Sequence, residues 1–258
     1  MEIAFLGSGS SGNCAVIRAG RTAVLLDAGL SVRDTARRLA GRGLSLDDVS
    51  ALLLTHEHSD HVRAAADFAR RRGLPIYATA GTARQAGLPG PLFADTRVVA
   101  GGDELSIGGE LFVRVTRTPH DGEESVCFVF SDGDGRRIGV ATDLGHLSRD
   151  VADVLRGCEV IGLESNHDVD LLRDGPYPAF LKRRILSDVG HLSNDAAAAG
   201  LRELVTERTR HVAALHVSRQ NNTFALAERV FSDALAVLGA PARLSVARPD
   251  VATEWLGA

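Results

Sequence analysis

One polar segment, THEHSDH at residues 55–61, constrains the fold and function of this chain more than any other. It directly follows the apolar run 51–54, which is typical of a buried strand. In an extended loop, residues i and i+2 project to the same side, so His56 and His58 are predicted to bind one ion together. The last two residues of the motif, Asp60 and His61, would begin the next helix and hold a second ion.

The donor types of this motif indicate which ions it binds. Imidazole with carboxylate suits zinc, with manganese or iron as alternatives. Two ions need more ligands than one motif offers, and His120, Asp143 and His216 each follow an apolar run. Polar residues at strand ends are well placed to point into one cleft, although each alone could be an ordinary loop residue.

The pattern of apolar runs indicates the fold class. Strands and helices alternate along most of the chain, which favours an α/β fold of sheets covered by helices. Strands are predicted over 2–6, 14–18, 22–27, 51–54, 74–77, 111–116, 126–130, 138–143, 158–164, 211–217 and 243–247. Helices are predicted over 32–43, 60–72, 148–156, 178–186, 194–206 and 223–238. No Pro/Ser-rich linker interrupts residues 1–258, so we expect a single domain.

Composition and charge indicate the cellular compartment and exclude few classes of function. A net charge of −4 does not indicate nucleic-acid binding by overall charge. Three cysteines without C-x-x-C spacing are expected to be buried, reduced thiols. The first six residues lack a basic leader, and no apolar run approaches a membrane span. A cytoplasmic protein that does not bind a membrane is therefore expected.

A glycine-rich loop, GSGSSG at residues 7–12, matches the G-x-G-x-x-G fingerprint of dinucleotide binding. Asp27 even stands twenty residues after Gly7, where a ribose ligand would be sought. The fingerprint requires a helix that opens at its third glycine. Two short apolar runs separated by Gly20-Arg21 follow instead, which predicts a β-hairpin, so no nicotinamide cofactor is expected.

The order of these residues resembles a known family. Their order along the chain is similar to that in the metallo-β-lactamase-fold hydrolases: Asp27, then the H-x-H-x-D-H motif, then His120, Asp143 and His216. The resemblance spans nearly the whole chain and implies a four-layer αββα sandwich. The segments SGSSGNC, ESNHD, GPYP, LKRRILSDVGHLSN and NNT resemble the YycJ/WalJ-like branch, whose members are regarded as DNA exonucleases or phosphodiesterases. Ribonuclease Z enzymes are more distantly similar.

The resemblance also assigns roles to residues. It implies two divalent ions, zinc or manganese, with Asp143 bridging them and Asp27 supporting the metal loop. One ion would be held by His56, His58 and His120, and the other by Asp60, His61 and His216. Asp60 is expected to take part in catalysis as well. Glu164 would orient His191, which would protonate the leaving oxygen, although a purely structural hydrogen-bonded pair is the alternative.

These assignments lead to a functional hypothesis. A hydroxide that bridges the two ions would hydrolyse phosphodiester bonds, and family resemblance favours a 5′-to-3′ DNA exonuclease. The same resemblance favours DNA over RNA, and the tRNA-processing alternative is weakened because the chain lacks a Gly/Pro-rich arm like that of ribonuclease Z. The alternatives are a thioester or lactone hydrolase, a ribonuclease Z-like endoribonuclease and a catalytically silent binding module.

The glycine-rich loop is given a second interpretation by these assignments. Because it follows the first strand, it should emerge beside the metals, where bare amides could contact a substrate phosphate. Ser11 and Asn13 of this loop and Asn166 of ESNHD are therefore candidate substrate-binding residues. A tight turn without any ligand is the alternative explanation of its glycines and serines.

Overall fold

The computed structural model describes residues 1–88 and 95–258. Its strands are β1 Glu2–Gly7, β2 Cys14–Ala19, β3 Thr22–Leu26, β4 Val49–Leu53, β5 Ile76–Thr79, β6 Thr96–Val99, β7 Glu104–Ile107, β8 Leu111–Arg117, β9 Val126–Ser131, β10 Arg137–Ala141, β11 Val160–Glu164, β12 His211–Leu215, β13 Arg243–Val246 and β14 Leu256–Gly257. Its helices are α1 Val32–Ala40, α2 Ser59–Val62, α3 Ala65–Arg72, α4 Ala80–Gln85, α5 Arg149–Leu155, α6 Val169–Asp174, α7 Ala179–Ile185, α8 Asn194–Leu204 and α9 Phe224–Val237.

The strands form two mixed sheets of similar construction. The first has the order β14-β1-β2-β3-β4-β5-β6 and the second the order β13-β12-β11-β10-β9-β8-β7. The segment after the glycine-rich loop is the hairpin β2–β3, as predicted. In each sheet, four neighbouring strands that begin with the middle one are parallel. These are β3 to β6 in the first sheet and β10 to β13 in the second.

Three apolar clusters hold the layers together. The largest lies between the sheets and contains Phe128 and Phe130 with Ile3, Ile17 and Val24. A second joins the outer face of the first sheet to α1 and α3, and a third joins the outer face of the second sheet to α5, α8 and α9. The predicted four-layer αββα sandwich is confirmed.

The topology brings the chemistry to one edge. Carboxyl ends of parallel strands lie at the same edge of a sheet, and the two sheets place those edges side by side. β8 runs in the same direction as β10, because both are antiparallel to β9. The ends of β3, β4, β8, β10, β11 and β12 therefore deliver their following residues to a common region.

The predicted helix over 60–72 is interrupted, and backbone hydrogen bonds explain why. Asp60 O accepts the amide of Asn13 at 2.8 Å instead of an amide from the next helical turn. Ala64 N donates to Ala28 O at 2.8 Å, and Ala28 N donates to His61 O at 2.6 Å. The loop after β3 thus takes the partners that a continuous helix would use, and α2 ends at Val62.

Within the described ranges, the helices are all too short or too polar to cross a lipid bilayer.

Gly29 makes the close contact between the β3 loop and α2 possible. A Cβ atom at this position would overlap the carbonyl oxygen of Asp60. We expect Gly29→Ala to lower the free energy of unfolding by about 1–3 kcal/mol, because the loop and α2 must separate. Urea denaturation measures the change, and Gly133→Ala is the control since no atom lies within 4 Å of that Cβ position. Equal stabilities of the two variants would contradict this account.

Candidate metal centre

The structure brings together all seven residues assigned to the metals from the sequence. Their ligand atoms form overlapping groups within which every atom lies within 4.8 Å of the others. Three groups consist of assigned ligands alone, namely His56, His58 and His120; Asp60, His61 and His216; and His56, His61 and Asp143, and a fourth joins Asp143 and His216 to Glu164 and His191. The first two correspond to the two expected ligand sets. Asp143 lies between them, with carboxylate oxygens 3.1 Å from Nε2 of His61 and 3.9 Å from Nε2 of His120, and its role as a bridging ligand stays a prediction.

Asp27, in the turn that follows β3, forms hydrogen bonds with the H-x-H-x-D-H motif and with Thr55, which precedes it. Its Oδ2 lies 2.8 Å from Nδ1 of His61, and its Oδ1 accepts the amide of Thr55 at 2.9 Å. The Thr55 hydroxyl also lies 3.0 Å from Nδ1 of His56. Because the carboxylate accepts a hydrogen bond from Nδ1–H of His61, the Nε2 lone pair is directed to the ligand cluster. Thr55 was not assigned from the sequence, and its only signal there is that it precedes the motif.

Glu164 plays the corresponding part in the second sheet, at the end of β11. Its Oε1 lies 2.8 Å from Nδ1 of His191 and 3.0 Å from Nδ1 of His216, so it orients two imidazoles rather than one. Its Oε2 accepts the amides of Leu144 and Leu192 at 2.8 and 3.1 Å. Burial opposes ionisation, but His191 and the hydrogen bonds outweigh it and lower the pKa of Glu164 to about 2. The carboxylate in turn raises the pKa of His191 despite burial.

Two observations show that the donors fit a metal. Nε2 of His56 is buried yet has no hydrogen-bond partner in the described part of the chain. Nε2 of His120 and Nδ1 of His58 face each other at 3.2 Å, a common arrangement for two imidazoles that share an ion. A buried polar atom without a partner is costly, and coordination would satisfy it. Neutral imidazoles and carboxylates are the donors that zinc and manganese accept.

The backbone is strained at three residues of this centre. Asp27, Asp143 and His216 have φ values of 61°, 58° and 52°, and they are the non-glycine residues with positive φ in the described ranges. Each follows the end of a strand by one or two residues. Such backbone geometry is uncommon outside glycine and costs on the order of 1 kcal/mol or more per residue. It turns each side chain sharply from the strand direction into the centre.

A pocket of about 370 Å³ opens over the ligands. Its floor includes Asp60, Asp143 and His216, and His191 lies on its wall. Asp121 also lines it, 3.4 Å from Nε2 of His58 and hydrogen-bonded to Arg184. Sequence reasoning did not assign Asp121 or Arg184 to the site, although Asp121 directly follows a predicted ligand. The pocket walls are thus polar and carry both signs of charge.

The residues expected to bind substrate occupy different positions. Ser11 is exposed and outside the pocket lining, where its carbonyl accepts a hydrogen bond from Arg63. Asn13 is buried, and its amide nitrogen lies 3.2 Å from Asp60 Oδ2 and 3.0 Å from His61 Nε2. Asn166 lines the pocket and donates to the carbonyl of His216. Their contact with substrate stays a prediction.

The glycine-rich loop also braces the metal ligands, a role that the sequence did not indicate. The Ser8 hydroxyl accepts the amide of His216 at 2.8 Å. The amide of Gly9 donates to Asn13 Oδ1 at 2.8 Å, which orients the Asn13 side chain toward the ligands. Ser10 is the member of the loop that lines the pocket. The loop therefore joins β1 to one of the two predicted ligand sets, that of Asp60, His61 and His216.

Asp27→Asn tests the support behind His61. An amide cannot accept hydrogen bonds from His61 and Thr55 on both sides, so one of them loses its partner. Asn tolerates the left-handed backbone, so the fold should persist. We expect the affinity for the second metal to fall about 10- to 100-fold in competition with a chromophoric chelator. Asp195→Asn, at an exposed position on α8, is the control, and unchanged affinity in Asp27→Asn would refute the role.

Comparison with known proteins agrees with this geometry. A family model described as a beta-lactamase superfamily domain matches residues 22–216. The exodeoxyribonuclease YycJ of Bacillus anthracis is 35% identical over 91% of this chain and 89% of its own length. The exodeoxyribonuclease WalJ of Streptococcus pneumoniae (strain D39) is 31% identical over 98% of this chain and 96% of its own. A ribonuclease Z of Mycobacterium sp. (strain KMS) is 30% identical over 46% of this chain and 41% of its own.

Solved structures show the same architecture. Zinc-bound PqqB from Methylobacterium extorquens superposes with a TM-score of 0.71 at 18% identity, covering 98% of this chain and 100% of that one. At this identity the likeness concerns the fold alone. The sequence matches carry the assignment further, because they extend over nearly the full length of this chain and of YycJ and WalJ. The chain is a metal-dependent hydrolase and belongs to the metallo-β-lactamase superfamily, within the branch that includes YycJ and WalJ.

Proposed function

We propose that the protein is a 5′-to-3′ DNA exonuclease that uses two divalent ions, zinc or manganese, and acts in the cytoplasm. The single observation that carries the choice of bond is the Glu164–His191 pair, in which a buried carboxylate holds a histidine that lines the pocket beside the ligand cluster. A phosphodiester has an alkoxide leaving group, which needs a proton donor. A thioester leaves as a thiolate, which is a good leaving group and needs none, so the pair favours phosphodiester chemistry over thioester hydrolysis.

The ions, when bound, would activate water for attack and neutralise negative charge on the phosphate. The chain's own residues supply the rest. Glu164 holds Nδ1 of His191 at 2.8 Å, which leaves Nε2 facing away from its protein partner and available to the leaving oxygen. The side chain of His191 is about a fifth exposed, enough to reach substrate in the pocket. Histidine is suited to this task because its proton exchanges near neutral pH.

Asp60 has a second part in this proposal. Its Oδ2 lies 3.3 Å from Nε2 of His216 and 3.2 Å from the Asn13 amide, so the carboxylate is fixed in one orientation. Asp60 is also part of the pocket lining, unlike the buried ligand His61. It can therefore accept a proton from attacking water while it helps to hold a metal. This double role supports its assignment as a catalytic residue.

The choice of DNA rests on the relatives. YycJ and WalJ are named exodeoxyribonucleases and match nearly the whole chain, whereas the ribonuclease Z match covers less than half. The polarity of degradation is carried over from family resemblance. A metal-reconstituted panel of substrates tests the proposal: DNA and RNA with 5′-labelled or 3′-labelled ends, a chromogenic phosphodiester, a thioester and a β-lactam. Turnover of the thioester without any phosphodiester turnover would refute it.

Two histidine variants separate metal binding from proton donation. We expect His58→Ala to abolish DNA hydrolysis and to lower the bound metal, because one ligand set is broken. We expect His191→Ala to reduce kcat about 10²- to 10⁴-fold and to leave the metal content unchanged. Hydrolysis rates and elemental analysis of the purified variants measure both effects.

His211→Gln serves as the control, because this residue lies at the start of β12, at the end opposite to His216. It should retain both metal and activity. If His191→Ala lost its metal, His191 would be a ligand and its assignment as proton donor would be wrong.

A further inference from the structure

One wall of the metal pocket continues onto an exposed surface built by α7. Tyr177, Leu181 and Arg184 line the pocket beside the metal ligands. Phe180, in the same segment, is 67% exposed. An aromatic side chain so far out of the core is unusual, since such rings are normally buried. The ring belongs to none of the three apolar clusters, and its helix neighbours Leu181 and Arg184 line the pocket.

The same segment is strongly basic, in contrast to the chain as a whole. Residues 175–187 contain three basic residues and no acidic one, whereas the net charge of the chain is −4. Arg184 is held by Asp121 and Lys182 donates to the carbonyl of Arg173. Arg183 is exposed and has no hydrogen-bond or ion-pair partner within the described residues. Its guanidinium is free to meet an anion.

The helix arranges these side chains in a row. Phe180 and Arg184 are four residues apart and Phe180 and Arg183 are three apart, so both arginines are neighbours of the ring on the helix surface. Arg184 lines the pocket, and at about 100° per residue Phe180 lies between Arg184 and Arg183 around the helix axis. A chain that leaves the pocket across α7 therefore meets a cation, an aromatic face and a second cation. A nucleic-acid strand presents phosphate, base and phosphate in turn, which matches this order of cation, aromatic ring and cation.

We propose that α7 binds the unpaired nucleotides of a nucleic-acid strand whose phosphodiester lies at the metal centre, an inference that rests on the proposed function. A base stacks on Phe180, while Arg183 and Arg184 pair with the phosphates on either side. Stacking on an aromatic ring requires a base that is not hidden in a duplex. The surface thus selects single-stranded ends or tails over blunt duplexes, without reading their sequence.

Binding of two probes separates stacking from charge. The first probe is a fluorescent single-stranded oligothymidylate of about ten nucleotides, and the second is an abasic strand with the same number of phosphates. Both carry phosphorothioate linkages, so that the metal-reconstituted protein does not degrade them during the measurement. Fluorescence anisotropy gives Kd for each probe over a range of salt concentrations.

Phe180→Ala is expected to weaken binding of the oligothymidylate about fivefold or more and to change binding of the abasic strand less than about twofold. Arg183→Gln is expected to weaken binding of both probes by the same factor. It should also reduce the magnitude of the slope of log Kd against log salt by roughly 0.7. The two variants thus affect different groups of the same ligand.

Two matched variants control for general effects. Phe112→Ala removes an exposed ring near the start of β8, at the end of that strand farther from His120, and Arg229→Gln removes an exposed guanidinium on α9. Neither should alter the Kd of either probe. Because Phe180 and Arg183 are exposed, all four variants should keep the thermal unfolding midpoint of the parent protein.

The inference is overturned if Phe180→Ala leaves the Kd for the oligothymidylate unchanged. It is also overturned if this variant weakens binding of both probes by the same factor. These results would leave the proposed hydrolysis intact, since they concern binding alone. Conversely, a protein that binds the oligothymidylate through Phe180 but hydrolyses no phosphodiester would support the surface and refute the exonuclease. The two proposals can therefore fail separately.

Discussion

The structure depends on the pairing of buried carboxylates with imidazoles at one edge of the sandwich. Asp27 belongs to the first sheet and holds His61, while Glu164 belongs to the second and holds His191 and His216. Burying such charges singly would be expensive, so each carboxylate is surrounded by donors. Because the two sheets contribute one carboxylate each, the centre can form only when both sheets have packed against each other. The apolar layer between them and the polar edge therefore stabilise the same arrangement.

Much of the centre could be predicted from the sequence, because its information is local. The H-x-H-x-D-H motif lies within six residues, and His120, Asp143 and His216 each follow an apolar run that the period of two makes visible. The carboxyl ends of parallel strands lie at one edge of a sheet whatever connects the strands. Residues that follow these strands are therefore expected to lie close together. The α/β class followed from the same alternation of strands and helices, whereas the four-layer αββα sandwich followed from the family resemblance.

The features that could not be predicted depend on long-range contacts. The break between α2 and α3 arises from hydrogen bonds to Asn13 and Ala28, which no local propensity records. The strand β14 exists because Leu256 pairs with Ile3. Glu164 was assigned to His191 alone, and its second partner, His216, lies 52 residues away. The glycine-rich loop was interpreted through its conformational freedom, yet its side chains Ser8 and Asn13 tie β1 to the ligands.

The left-handed backbone at Asp27, Asp143 and His216 has a consequence for how this protein can change. At each position glycine would relieve the strain, but it would also remove a carboxylate or an imidazole whose buried partners would then be left unpaired, such as His61 beside Asp27 and Glu164 beside His216. The strain and the polar contacts of the centre are therefore fixed together at the same three residues. Attempts to make a more robust form of this enzyme should leave these turns untouched and seek their gains elsewhere, for example on the outer helices.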